Sequence, residues 1–293
     1  MTVRVSAGVP AYNEEKTIKQ LLEAILNQPM KAIVLEEVIV ETSGSTDATD
    51  AKVIEALEAD SRIKLISGKK RKGKSATLNT ILRHAKEDVV VFIDGDVVLG
   101  RSCVPVLIRP LLRDGKVGVA SGKVMPIVER NDFFGFASRF IRELHHELCD
   151  YLTNRNVTPK VDGTFYAIRK NVVERFPSHV VSDDEYASWC AQNKGYRVVY
   201  VPEAVVYTKD PASLQDFVRW QKRITVGQMY IKRHLNYTVP TMKASILLPV
   251  SLKLIKKHWR ETPHILTLIS LVGISLILAF KTFLQHEIPY IYG

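Results

Sequence analysis

The chain has 293 residues, 46% of them hydrophobic and 25% charged, with a net charge of +10. That balance excludes a disordered polypeptide and points to an anionic partner: nucleic acid, anionic lipid or a phosphorylated substrate. Three scattered cysteines, Cys103, Cys149 and Cys190, exclude a disulfide framework and a zinc knuckle, and they fit a reducing compartment.

Residues 3–9 read as a first strand, with no cationic-then-apolar leader expected ahead of it. The strand ends at Pro10-Ala11-Tyr12-Asn13, where Asn13 is expected to cap a helix with Glu14 and Glu15 in its first turn. Ile18, Leu21, Leu22 and Ile25 give that helix a buried stripe. Residues 38–40 belong to a second strand, and Thr42-Ser43-Gly44-Ser45-Thr46-Asp47 turns into a helix carrying Val53, Ile54 and Leu57. A short third strand over 63–66 leads to the basic loop Gly68-Lys69-Lys70-Arg71-Lys72-Gly73-Lys74 and a helix through Leu78, Ile81 and Leu82.

The fourth strand, residues 89–93, is five apolar residues running into Asp94-Gly95-Asp96. Such a run predicts a strand buried on both faces of a parallel sheet, which delivers its end to the crevice where open α/β sheets bind ligands. Two carboxylates held one residue apart repel unless a cation lies between them, and hard oxygen donors suit Mg²⁺ or Mn²⁺. An ion so placed can neutralise a diphosphate. The alternation of strand and helix predicts an α/β fold with a doubly wound, mostly parallel sheet and flanking helices.

After a further strand near 117–124 the rhythm changes. Phe133, Phe136, Phe140, Leu144 and Leu148 recur at helical spacing, a stripe that suits either a core face or a face lying on a bilayer. On the same helix His145, His146, Cys149 and Asp150 read as a solvated face rather than a metal site, because no remote second pair supports one. A strand over 165–168, a helix over 183–193, a strand over 196–201 and an amphipathic helix over 214–234 follow.

Residues 265–280 carry no charge, and extension through 284 gives about 30 Å of helix, enough to span a bilayer. The globular fold is complete before this stretch, so it is expected to have nothing to pack on. Ahead of it, Lys253, Lys256, Lys257 and Arg260 make a cationic stripe and Leu248, Leu252, Ile255 and Trp259 an apolar one, the pattern of an interfacial helix on an anionic surface. With Lys281 alone beyond the span, the cationic side predicts a single-pass membrane protein whose catalytic domain is cytoplasmic. The expected boundaries are a domain over 1–235, an amphipathic segment over 236–262, and a transmembrane helix with a short tail over 263–293.

An ordered set of motifs resembles the family-2 inverting glycosyltransferases of GT-A fold over about residues 1–230. It comprises Pro10-Ala11-Tyr12-Asn13-Glu14-Glu15, Gly44-Ser45-Thr46-Asp47, Gly73-Lys74-Ser75-Ala76-Thr77-Leu78-Asn79, Asp94-Gly95-Asp96, Gly163-Thr164-Phe165, Asp183-Asp184 and the segment 195–204. The resemblance implies a UDP- or GDP-linked sugar donor, a divalent metal (Mn²⁺ or Mg²⁺) and a carboxylate base. By that resemblance Asp96 would bind the metal, Asp94 would sit between metal and ribose, and Lys74 would reach the nucleotide or its phosphates. Pro10, Tyr12, Glu14, Ser43, Asp47 and Arg223 would also line the donor side, and Gly163, Thr164 and Asp183 the acceptor side. The family's base is the second acid of a pair just ahead of a Ser-Trp on one helix, which is Asp184 here, before Ser188-Trp189. Asp183, Asp184 and Glu185 also suit a helix N-terminus, and clustered acids raise one another's pKa, as a base requires.

Three departures shape the expectation. Many members carry two acids where this chain has Thr42-Ser43, and Ser43 makes no charged contact to a uracil base, so the donor base stays open. The Gln-x-x-Arg-Trp motif of polymerising members is degraded: Arg219-Trp220-Gln221-Lys222-Arg223-Ile224 keeps the arginine and has Ile224 for the tryptophan. Membrane segments are too few for a polymer channel. The expected activity is therefore transfer of one sugar to a hydroxyl of a lipid or lipid-linked acceptor. The alternatives are a polyprenyl-phosphate sugar synthase, whose phosphate acceptor needs no base, and a membrane-tethered nucleic-acid-binding module. The last lacks aromatics interleaved with its cations, so no nucleic-acid partner is expected.

Overall fold

The computed structural model describes residues 3–128, 131–177 and 182–285. Its first half alternates as the sequence pattern predicts: β1 (Val3–Ala11), α1 (Ile18–Leu26), β2 (Ile33–Ser43), α2 (Thr49–Ala59), β3 (Ile63–Gly68), α3 (Lys74–His84) and β4 (Val89–Ile93). The second half runs β5 (Val98–Leu99), α4 (Cys103–Arg113), β6 (Val117–Pro126), α5 (Phe133–Thr153), β7 (Phe165–Arg169), α6 (Asp183–Asn193), β8 (Arg197–Thr208) and α7 (Leu214–Leu235). One sheet of order β3-β2-β1-β4-β7-β6-β8-β5 joins the halves. Side chains alternate across it. Val38, Val40, Val91 and Ile93 face α1, α2 and α4, whereas Ile39, Val90 and Phe92 face α3 and α6.

The sheet is mixed. β4 pairs with β1 in parallel but with β7 antiparallel, in the register Ile93↔Phe165. That reversal sets the start of β7 beside the end of β4, so Gly163-Thr164 lies against Asp94, whose amide donates to the Thr164 carbonyl at 3.0 Å. A parallel β7 would put this loop at the opposite edge.

Two expectations in these halves are corrected. Asn13 does not cap α1, which begins at Ile18. Asn13 is left-handed at φ 57° and accepts the Thr46 amide at 2.8 Å, tying the β1 end to the β2 end. The face of α5 bearing His145 and Cys149 is not solvated: the two are packed together, Sγ to Nε2 3.5 Å, and burial drives the imidazole down to about 4.

The C-terminal elements cover the aromatic stripe of α5. Phe136 and Phe140 are buried with Phe217, with Leu254 of α8 (Ala244–Lys257), and with Ile265 and Leu268 of α9 (Thr262–Leu284). That stripe is thus a core face and is not open to a bilayer. Leu248, Leu252 and Trp259 are exposed as expected, but Ile255 turns inward to the same cluster. Lys253 and Lys257 pair with Glu147 and Glu143 of α5, so part of the cationic stripe is neutralised within the protein. Nor does α9 stand alone. It runs parallel to α7, from Ile265 and Leu268 beside Phe217 to Phe283 beneath Arg233. Its outer face still exposes Leu266, Ile269, Ile277 and Phe280.

Arg142 of α5 ties the second half together. It donates to Asp162 at 2.9 Å, in the loop before β7, and to Asp210 at 2.6 Å, after β8, with all three side chains at most 14% exposed. Burial disfavours the Asp162 carboxylate, yet Arg142 holds it well below the ordinary aspartate range. A depressed carboxyl stabilises the fold fully above its unfolded value and loses that contribution only as pH falls toward its folded value. Arg142→Met should therefore cost about 3–5 kcal/mol at pH 7, as breaking one side of a buried ion pair does. Urea unfolding of wild type and variant checks this, and the gap between them should close as the pH is lowered below the aspartate range.

Candidate active site

The parallel strands β2, β1 and β4 end side by side, and their C-terminal ends carry most of the residues marked by the sequence. Pro10, Tyr12 and Glu14 follow β1, Ser43 and Asp47 follow β2, and Asp94 and Asp96 follow β4. Asp94 is partly enclosed and Asp96 is exposed. Burial, and then the charge of Asp96, push the Asp94 carboxyl up to about 7, and the same two causes raise Glu14 to about 7. Glu14 Cγ and the Pro10 carbonyl pack against Gly95, and Thr17 donates to the Gly95 carbonyl at 3.0 Å, so the β1 loop cradles the acidic turn.

Lys74, the first residue of α3, enters this cleft from the side. Its ammonium lies 2.6 Å from Asp94 and donates to the Gly163 carbonyl at 2.9 Å, with a third of the side chain exposed. Burial works against that charge, but the pull of Asp94 and then of Asp183 holds its pKa above the ordinary lysine value. Gly163 in turn abuts α6. A Cβ placed there would stand 3.4 Å from Asp184 Cβ and 3.6 Å from Asp183 Oδ2. Lys74 thus ties the end of β4 to the loop that faces the acidic pair.

Asp183 is buried and Asp184 half-exposed. Burial raises the Asp183 carboxyl and Asp184 raises it further, while Lys74 opposes both. Arg223 of α7, an exposed side chain, lies near enough to Asp183 to favour its charged form. Thr164 sits beside Asp94 through the backbone bond already described. The acids from β4 and from α6, with Lys74 and Arg223, therefore share one cleft.

Two of the expected donor-side residues also make contacts within the protein. Asp47 accepts the amides of Glu15 at 3.2 Å and Thr49 at 3.0 Å, so its carboxylate braces the loops instead of standing free. The Ser43 hydroxyl accepts the Lys72 amide at 2.9 Å and latches the basic loop onto β2. That loop carries Arg71 over the Tyr12 ring at 3.7 Å. Arg71 was not singled out individually, and neither was Lys160, whose Nζ lies 3.5 Å from Glu185 and whose charge is favoured by Glu185 and Asp184. A lone lysine in an irregular loop carries no periodic signal; only the fold brings it to α6.

Among the described residues no group of three or more His, Cys, Asp or Glu side chains forms a metal cage. Asp94 and Asp96 supply two hard oxygen donors at an open strand end, and ions such as Mg²⁺ are commonly held by one or two carboxylates plus substrate phosphates. The residues present fit a divalent ion that arrives with a diphosphate.

Residues 6–176 match the model of glycosyl transferase family 2. The chain belongs to that family. It is 28% identical over 242 residues to the probable glycosyltransferase YdaM of Bacillus subtilis, covering 78% of this chain and 56% of the relative. It is 23% identical to a poly-beta-1,6-N-acetyl-D-glucosamine synthase of Staphylococcus aureus, covering 74% of this chain and 52% of the relative. The chain thus spans little more than half the length of these curated relatives. Its fold matches that of a mannosyltransferase from Pyrobaculum calidifontis in complex with GDP-Man and Mn²⁺, with a TM-score of 0.73 and 24% identity over 98% of this chain and 88% of that one. The family-2 enzyme has the mixed, mostly parallel GT-A sheet, and among the described residues one apolar C-terminal helix is long enough to cross a membrane.

Proposed function

We propose that this enzyme moves one sugar from a nucleotide-sugar donor to a hydroxyl of a lipid or lipid-linked acceptor, with inversion at the anomeric carbon. The observation that carries the proposal is the single cleft in which Lys74 joins Asp94 to Gly163 and Gly163 abuts Asp184. Asp184 is the base: its carboxylate takes the acceptor proton as the acceptor oxygen bonds to the anomeric carbon. The bond from that carbon to the diphosphate oxygen breaks on the opposite face. The leaving diphosphate gains negative charge, which Lys74 and Arg223 offset from the two sides of the cleft. Asp94 and Asp96 would hold a divalent ion, Mn²⁺ or Mg²⁺, which supplies Lewis-acid stabilisation of the leaving group when bound. Pro10, Tyr12 and Glu14 line the donor side, and Gly163, Thr164 and Asp183 the acceptor side. The Pyrobaculum neighbour carries GDP-Man and Mn²⁺, which supports a GDP-linked donor here, where Ser43 makes no charged contact to a uracil base.

The acceptor reading rests on the C-terminal helices. Within Trp259–Leu284 the most apolar window has a mean hydropathy of 2.1, and only 28% of that window is buried within the protein. A crossing parts α9 from α7, whose Arg219, Lys222, Lys232 and Arg233 cannot enter a bilayer core. The face released is small and polar in its middle, at Ser275, Ala279 and Thr282, while Ile265, Leu268 and Phe283 toward its ends exchange contacts with α7 for contacts with lipid. We read α9 as a single-pass anchor with the catalytic domain cytoplasmic, and Leu248, Leu252, Trp259, Lys256 and Arg260 as its interfacial flank.

Chelation with EDTA should abolish transfer, and Asp96→Ala should weaken donor binding more than Asp94→Ala; undiminished transfer in chelator removes the metal from the account. Asp184→Asn should lower turnover by about 10²–10⁴-fold with donor affinity nearly unchanged. If Asp183→Asn were the crippling change, the base is the neighbouring acid. Incubation with labelled donor and a lipid extract should yield an organic-soluble product of one fixed mass, since Ile224 stands where polymerising members keep a tryptophan; a ladder of glycans contradicts single addition. Truncation after Arg260 should leave the domain partly membrane-bound in flotation assays, because the α8 flank remains, and complete release would remove α8 from the interface.

A further inference from the structure

One face of α7 closes on the first turn of α6. Arg223 approaches Asp183 and Gly227, one turn on along the same face, meets Ser182, while Gln228 beside it reaches Glu185. The approach is tightest at Gly227. A Cβ there would stand 2.1 Å from Ser182 Oγ, 3.3 Å from Ser182 Cβ and 3.5 Å from the Ser182 amide nitrogen. Ser182 is the N-cap residue of α6, and Asp183 and Asp184 are the next two residues.

We propose that Gly227 is a positioning residue: its missing side chain lets α7 seat against Ser182 and thereby fixes where the Asp184 carboxylate stands in the cleft. The inference rests on Asp184 being the base. The Asp184 carboxylate accepts the amide of Glu185 at 2.8 Å, so it travels with the backbone of this turn. The rest of α6 is held independently, since Ala187, Cys190 and Ala191 pack into the layer shared with α3. A methyl group at 227 therefore tilts the first turn while the helix stays docked. Rotation of the Ser182 hydroxyl relieves the 2.1 Å contact but leaves Cβ at 3.3 Å. The remaining shift is a few tenths of an ångström at the turn that carries Asp184, and because a full ångström of misplacement costs up to about a hundredfold in rate, a loss of about tenfold is expected.

The test compares full-length Gly227→Ala, the double variant Ser182→Gly/Gly227→Ala, and Asp184→Asn in the same membranes. Gly227→Ala should lose about tenfold in kcat while its affinity for the donor diphosphate with Mn²⁺ is unchanged. The double variant should recover most of that rate, because Ser182 makes no side-chain cap bond and glycine is tolerated at an N-cap. A purely structural glycine would change thermal stability without this split between kcat and donor affinity. Wild-type kcat in Gly227→Ala overturns the inference, as does a double variant no faster than the single one. If Gly227→Ala does not fold, the double variant decides alone: folded and active supports the inference, anything else overturns it. Full activity in Asp184→Asn instead sinks the base assignment, an outcome separate from failure at Gly227.

Discussion

Lys74 stands among carboxylates that could not share a cleft without it. Asp94 arrives on a strand end, and Asp183 and Asp184 on a helix end, and burial already disfavours ionisation of Asp94 and Asp183. One ammonium at the start of α3 reaches Asp94 and the Gly163 carbonyl and draws the two acidic groups to a common centre. A buried charge is tolerated only when paired, so the position of α3 is tied to the position of α6. The donor's diphosphate and its ion would bring further charge of both signs to this point, which is where the leaving group must be stabilised. The lysine is therefore as much a part of the architecture as of the chemistry.

Much of this was legible in the chain. The unbroken apolar run of β4 announced a strand enclosed on both faces, and the acids behind it announced the cleft. The 3.6-residue stripes of α1 and α3 gave their core faces correctly. The antiparallel turn of β7 was not legible, because five apolar residues read alike in either direction; it is set by the loop from Thr153 to Phe165 and by pairing with β6. The partnerships of Lys160, and the bracing done by Asp47, depend on contacts across the sheet that no local pattern encodes. Asn13 misled because the residue types that cap helices are the same ones that tolerate left-handed turns.

The C-terminal region was half legible. Hydropathy found α9, and charge pattern found α8, but neither predicted that both would cover the phenylalanine stripe of α5. A helical stripe three residues wide cannot tell lipid from a neighbouring helix, since both are apolar. Only the partners decide, and here His258 and Lys257 pair with Glu143 while Leu254 enters the cluster beneath. α7 occupies the centre of this region, with α6 on one side and α9 on the other, so in this structure α9 and the acidic pair lean on the same helix.

The central claim is that a carboxylate on α6 and a diphosphate held at the end of β4 act on opposite faces of one anomeric carbon. The anomeric configuration of the freshly formed product, read by proton NMR before mutarotation or hydrolysis, tests it most directly. A donor of α configuration should yield a β-linked product. An α-linked product would mean retention, and would contradict the placement of Asp184 as a base acting in a single displacement.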